Sequence, residues 1–150
     1  MSPEWDDLET LAVAAMLNIP QAFAEALQYH RQGNLAEAER LYLQILSVDP
    51  SHADALHLLG TLAFQLGRSD AAVAYLRQSL ALQPANANAH SDLGLMLMQQ
   101  GQGEQALGHL QQALRLRPGH PEATLNLGNL LAERGELDQA EDYYRKLMRH

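Results

Sequence analysis

Apolar residues along this chain recur at spacings of three and four, not two. In "ADALHLLGTLAFQLG" (53–67), Leu56, Leu59, Ala63 and Leu66 make one stripe, the signature of a helix with a single buried face. The stripe ends at Gly67, a residue that can take the left-handed conformation just past a helix end. A second stripe, Ala72, Val73, Leu76 and Leu80, follows in "RSDAAVAYLRQSLAL" (68–82), with Ser69 or Asp70 as the candidate N-cap. Pro84 closes it, because proline has no amide hydrogen to donate and clashes with the preceding turn. The predicted unit is helix, tight turn, helix, tight turn.

The unit repeats. Pro50, Pro84 and Pro118 are each 34 residues apart, and so are Gly33, Gly67, Gly101 and Gly135. Ala38, Ala72, Ala106 and Ala140 keep the same interval, as do the pairs Leu59-Gly60, Leu93-Gly94 and Leu127-Gly128. Markers of different chemistry sharing one period mean one small unit stacked several times. Gly60, Gly94 and Gly128 fall mid-helix, where glycine costs up to about 1 kcal/mol against alanine. A repeated cost implies a repeated benefit, which is close approach of the partner helix at Ala72, Ala106 or Ala140. "RPGHPEATLNLG" (117–128) is then a joint between units. Pro118 stops one helix, and Pro121 suits the first turn of the next.

The period, the Leu-Gly pair, the small residue in the second helix and the closing proline together resemble the tetratricopeptide repeat, over residues 19–150. The resemblance implies an all-α fold, with tandem helix-turn-helix repeats stacked as a right-handed superhelical solenoid. The expected units are 19–52, 53–86, 87–120 and 121–150, the last incomplete, behind a helix within 1–18. Two departures stand out. The tryptophan often found three residues before the Leu is replaced by Ala22, Leu56, His90 and Thr124, and in the first unit Glu25-Ala26 replaces Leu-Gly. Burying a glutamate is expensive, so the first unit's Glu25 face is expected open to water or only lightly covered. The repeats are most similar to those in front of protein O-linked N-acetylglucosamine transferases, with "LNLGNLLAERGELDQAEDYYRKL" (125–147) carrying the likeness. In such proteins an asparagine before the Leu-Gly pair holds bound peptide backbone. Here the matching positions are Ala24, Leu58, Asp92 and Asn126, so only Asn126 matches.

Composition narrows the function. The chain of 150 residues has a net charge of −8 and a single lysine, Lys146, which argues against nucleic-acid binding through clustered cations. It has no cysteine, which removes disulfides and thiolate metal sites. No stretch is long enough to span a bilayer, and the short apolar run "TLAVAAML" (10–17) is preceded by acids where a signal peptide carries positive charge. A cytoplasmic protein without a membrane partner is expected.

By the resemblance, the first helix of each unit lines a concave groove. The groove positions are Phe23, Leu27, His30 and Arg31; Asp54, His57, Leu58, Thr61 and Gln65; Asn88, Ser91, Asp92, Leu95 and Gln99; and Glu122, Leu125, Asn126, Asn129 and Glu133. Apolar anchors beside polar side chains suit another protein or a peptide segment, extended or helical. Arg31 is the only fixed cation of the set, so a clamp for acidic tails is not expected. An apolar, polar-decorated or basic segment fits better. The alternative is the recognition arm of a larger enzyme, a glycosyltransferase, whose catalytic part lies elsewhere.

No catalytic constellation emerges. His52 and His57 are five apart and do not share a helix face, and the remaining histidines are scattered, so no metal and no cofactor is expected. "GQGE" (101–104) lacks the preceding strand and the following Lys-Ser/Thr of a phosphate loop. "HSD" (90–92) holds the residue types of a hydrolase triad, but consecutive helical residues do not meet in that geometry.

Two expectations concern the ends. Residues 3–17 should form a helix covering the array, capped by Ser2, with Pro3 in its first turn and Trp5, Leu8, Leu11, Ala12, Ala15 and Met16 on one stripe. At the other end, Leu127, Leu131, Tyr144, Leu147 and Met148 would ordinarily meet a following helix. Their exposure implies either the front of a longer protein or end-to-end self-association.

Overall fold

The computed structural model describes residues 16–149. The covering helix expected over 3–17 lies outside the described residues except at its end. There Met16, assigned to the apolar stripe, is exposed, while Leu17 packs on the first core cluster.

Eight helices follow: α1 (Ile19–Arg31), α2 (Leu35–Val48), α3 (Ala53–Gln65), α4 (Ser69–Leu82), α5 (Ala87–Gln99), α6 (Gly103–Leu116), α7 (Pro121–Glu133) and α8 (Leu137–Met148). The described residues contain no strand. Consecutive helices pair as hairpins, each hairpin packs on the next, and first helices of neighbouring hairpins also touch. The result is a solenoid of tandem repeats.

Each first helix starts from a side-chain cap. Asn18, His52, Asn86 and His120 stand 34 residues apart and accept the amide three residues on, at 3.1, 3.0, 3.1 and 3.2 Å. Both histidines do this through Nδ1, so Nε2 carries the ring proton. Pro121 follows directly in the first turn of α7, as the joint reading of 117–128 requires.

The turn inside each hairpin is left-handed. Gly33, Gly67, Gly101 and Gly135 have φ of +80°, +79°, +76° and +80°, a region other residues resist. The amide after each glycine reaches back to the last helical turn: Asn34 to the Tyr29 carbonyl, Arg68 to Ala63, Gln102 to Leu97 and Glu136 to Leu131, at 2.8–2.9 Å. This compact turn corrects the expected cap of α4. Neither Ser69 nor Asp70 caps it. The helix begins one residue earlier from Arg68, without a side-chain cap bond, leaving Asp70 as an acid in the first turn. Gly103 is the first residue of α6, which also starts without a side-chain cap bond.

Two apolar clusters form the core, one centred on α1 and α2 and the other running from α3 to α8. The mid-helix glycines are contact points. A Cβ on Gly60 would lie 2.0 Å from Leu76 Cδ2, on Gly94 2.7 Å from Leu110 Cγ, and on Gly128 2.8 Å from Tyr144 Cε1. Ala72, Ala106 and Ala140 are buried on the partner helices, so the small residues sit on both sides of each close approach.

Candidate functional site

Eight of the expected groove residues line two clefts on the first helices. Thr61, Phe64, Gln65, Asp92, Leu95 and Met96 line one cleft. Leu95 also lines a second, with Met98, Gln99, Asn126, Asn129, Ala132, Glu133 and Tyr144. The two clefts share Leu95 as a wall and together make a lane across α3, α5 and α7. Asp92 and Glu133 give the lane negative charge, and no lysine or arginine lines either cleft. Arg31 and Asp54 are exposed, but neither lines these clefts.

Hydrogen bonds tie successive first helices together. His57 Nε2–H donates to Asp92 Oδ2 at 2.7 Å, from a histidine whose side chain is 13% exposed to a carboxylate that is 38% exposed. His30 Nε2–H donates to Gln65 Oε1 at 2.6 Å, while its Nδ1 accepts the Tyr42 hydroxyl at 3.1 Å. His120 Nε2–H donates to Asn88 Oδ1 at 2.6 Å. These side chains have partners within the array, so they set the lane's shape as well as its chemistry. Tyr144 donates to Asn129 Oδ1 at 2.7 Å. Thr61 turns its hydroxyl onto the Leu58 carbonyl at 2.9 Å.

Other members of the expected set sit elsewhere. Phe23 is half-buried, its ring 5.1 Å from His52 and 6.3 Å from Tyr42, and Leu27 is half-buried on the same helix. Glu122 is exposed beside His120, 3.4 Å from its Nδ1. Ser91 is 1% exposed, with its hydroxyl unpartnered, and lines neither cleft. Glu25 is exposed, as its substitution for the usual Leu suggested.

The "HSD" residues diverge. His90 pairs with His109, Asp92 pairs with His57, and Ser91 is buried without a partner. The triad chemistry therefore has no geometric basis. The capping histidines His52 and His120 escaped notice in the sequence because imidazole is an uncommon N-cap. Their signal was present nonetheless, as the alternation of Asn and His at 18, 52, 86 and 120.

A family model for the tetratricopeptide repeat matches residues 23–87, 57–107 and 91–149. The chain belongs to the tetratricopeptide repeat family. A tetratricopeptide repeat array of this kind is a protein-interaction scaffold, and no catalytic family is indicated. Among curated proteins no match was found. The solved structure of MamA shares the fold at a TM-score of 0.80 and 23% identity, over 88% of this chain and 77% of that one. YrrB, described as a tetratricopeptide repeat protein with an unusual peptide-binding site, matches at 0.75 and 25% identity, over 85% and 66%. An O-GlcNAc transferase of Thermobaculum terrenum matches at 0.73 and 33% identity, over 81% of this chain but only 22% of that one. No helix of the described residues is long and apolar enough to cross a membrane.

Proposed function

We propose that the lane from Thr61 to Glu133 binds an extended peptide segment of a partner protein. The observation that carries this reading is the pair of clefts on either side of Leu95, across three successive first helices. Leu95 offers an apolar anchor. Gln65, Gln99 and Asn126 offer amides that can both donate to and accept from a peptide backbone. Asp92 and Glu133 favour a segment bearing lysine or arginine. The units 19–52, 53–86, 87–120 and 121–150 act together in this reading, and the partner, the groove residues and a cytoplasmic setting are parts of the same proposal.

The test is affinity capture with the full chain, followed by Leu95→Ala, Asn126→Ala and Glu133→Lys, chosen because none of the three takes part in the ties between first helices. Weaker binding by a variant with unchanged helicity is the expected result. Unaltered binding by the triple variant would move the site off the lane.

A second reading has its own observation. The 33% identity to repeats of an O-GlcNAc transferase supports the array as a recognition arm of a larger glycosyltransferase. Asn126 alone keeps the asparagine of those repeats, and Asp92 in the adjacent unit is engaged by His57. A genomic reading frame running on into a transferase domain would favour this reading over a free-standing scaffold.

A further inference from the structure

Internal repetition gives the array its own control. One packing position on the first helices reads Ala22, Leu56, His90 and Thr124, and another on the second helices reads Leu41, Tyr75, His109 and Tyr143. In three repeats these positions hold small, apolar or tyrosine side chains that fill space. Only the third places imidazole at both.

The two rings meet. His90 Nδ1 and His109 Nδ1 are 3.1 Å apart, and the rings stack at 5.3 Å between centroids with planes 29° apart. His90 Nε2 lies 2.9 Å from the Pro84 carbonyl. A carbonyl only accepts, so Nε2 carries the proton and the Nδ1 lone pair faces His109. This is the arrangement of a metal-ligating histidine, whose far N–H is fixed by a backbone carbonyl.

We infer that His90 and His109 form a two-imidazole site for one late first-row divalent ion, Cu2+ or Zn2+, bound through both Nδ1 atoms. Metal–nitrogen bonds of about 2.0–2.1 Å put two ligands about 2.9 Å apart at a cis square-planar ion and about 3.4 Å apart at a tetrahedral one. The observed 3.1 Å lies between these, so small turns of the rings suffice, and the ion takes the place of the proton now shared. Both side chains are half-buried and so remain accessible. Burial, with His90 and Arg77 nearby, holds His109 below the ordinary imidazole range. Arg77, on α4, is the opposing charge, and Gln105 accepts its guanidinium at 2.8 Å. Solvent completes the coordination, because the described residues hold no group of three or more His, Cys, Asp or Glu suited to a metal. The ion would clamp α5 to α6 within the third repeat, beside the lane and independent of its occupant.

Titration of the full chain with Zn2+ and with Cu2+, read by histidine ring resonances for Zn2+ and by melting temperature for both, tests the site. One equivalent should shift the His90 and His109 signals first and raise the melting temperature, with Mg2+ inert because imidazole suits softer ions. The decisive variant is His90→Leu with His109→Tyr, the pair that the second repeat carries at these positions and therefore one the fold accommodates. It should lose affinity by about tenfold or more, whereas His57→Gln should keep it. Equal affinity in the paired variant would place the ion elsewhere and overturn the inference. So would a wild-type chain whose melting temperature neither ion changes.

Discussion

The first and last hairpins carry the same residue at the same place and use it differently. Tyr42 and Tyr144 are three periods apart, on α2 and α8, opposite Ala26 and Gly128 of their first helices. Tyr42 is 0% exposed, packs near Phe23 and gives its hydroxyl to His30, which passes a hydrogen bond on to Gln65 of the next repeat. Tyr144 is half-buried, lies over Gly128 and gives its hydroxyl to Asn129 within its own hairpin. One tyrosine is a core residue wired across repeats, and the other is a lid on its own helix pair. The repeat dictates where the ring sits. The neighbouring repeat determines how much it contributes.

The largest break of that comparison is truncation. Tyr42→Ala should cost about 3–5 kcal/mol, the range for deleting a large buried ring. Tyr144→Ala should cost distinctly less, since its ring already meets solvent. Urea unfolding followed by helicity measures both. Equal losses would show that the last hairpin is packed as fully as the first.

The second break works through the small residues. Gly94→Leu drives a side chain into Leu110, which is 0% exposed, and should cost about 1–3 kcal/mol or more. Gly128→Ala presses on Tyr144 instead, at 2.8 and 3.1 Å from two ring carbons, and a half-exposed ring can move aside. Its cost should be smaller. Gly103→Ala meets only Leu130 Cδ1 at an ordinary 3.6 Å and should be near neutral or slightly stabilising, by up to about 1 kcal/mol. The order Gly94, Gly128, Gly103 is the measurable claim. Reversal of the first two would mean that the last helix pair cannot yield.

The two tyrosines also show which parts of the molecule a sequence reveals. Most of what recurs every 34 residues was legible: the helix pairs, the left-handed glycines, the close approach at Gly60, Gly94 and Gly128, though not the caps at 18, 52, 86 and 120. Each of these is local, or is set by a neighbour at a fixed offset. Contacts that join one repeat to the next were not legible, because they depend on how hairpins lean on each other. His57 with Asp92, His30 with Gln65 and Asn88 with His120 join residues 32 to 35 apart, offsets that no helical period marks. Ser91 shows the same limit from the other side. Register puts it in line with His57, yet it is buried. His90 and His109 read as unrelated until the hairpin closes. The groove was therefore foreseen as a surface, and its internal wiring was not.

The finest test concerns the Tyr42 hydroxyl alone. Burial pushes its phenol up from 10.0 to about 12, partly offset by the positive charge of Arg31. In the unfolded chain the same phenol ionises near pH 10. Between pH 10 and about 12 the folded state therefore holds a proton that the unfolded state has released, so stability is complete below pH 10 and falls as pH rises through this window. Tyr42→Phe removes the ionisable group and should flatten that part of the decline. At neutral pH the same change leaves His30 Nδ1 without its donor, at a cost of about 0.5–1.5 kcal/mol. Tyrosinate absorbance should show a step near pH 12 in the parent chain and none in the variant. A parent chain whose tyrosines all ionise in a single step centred near pH 10 would mean that the Tyr42 ring is not shielded from water, and the contrast between the two hairpins would disappear.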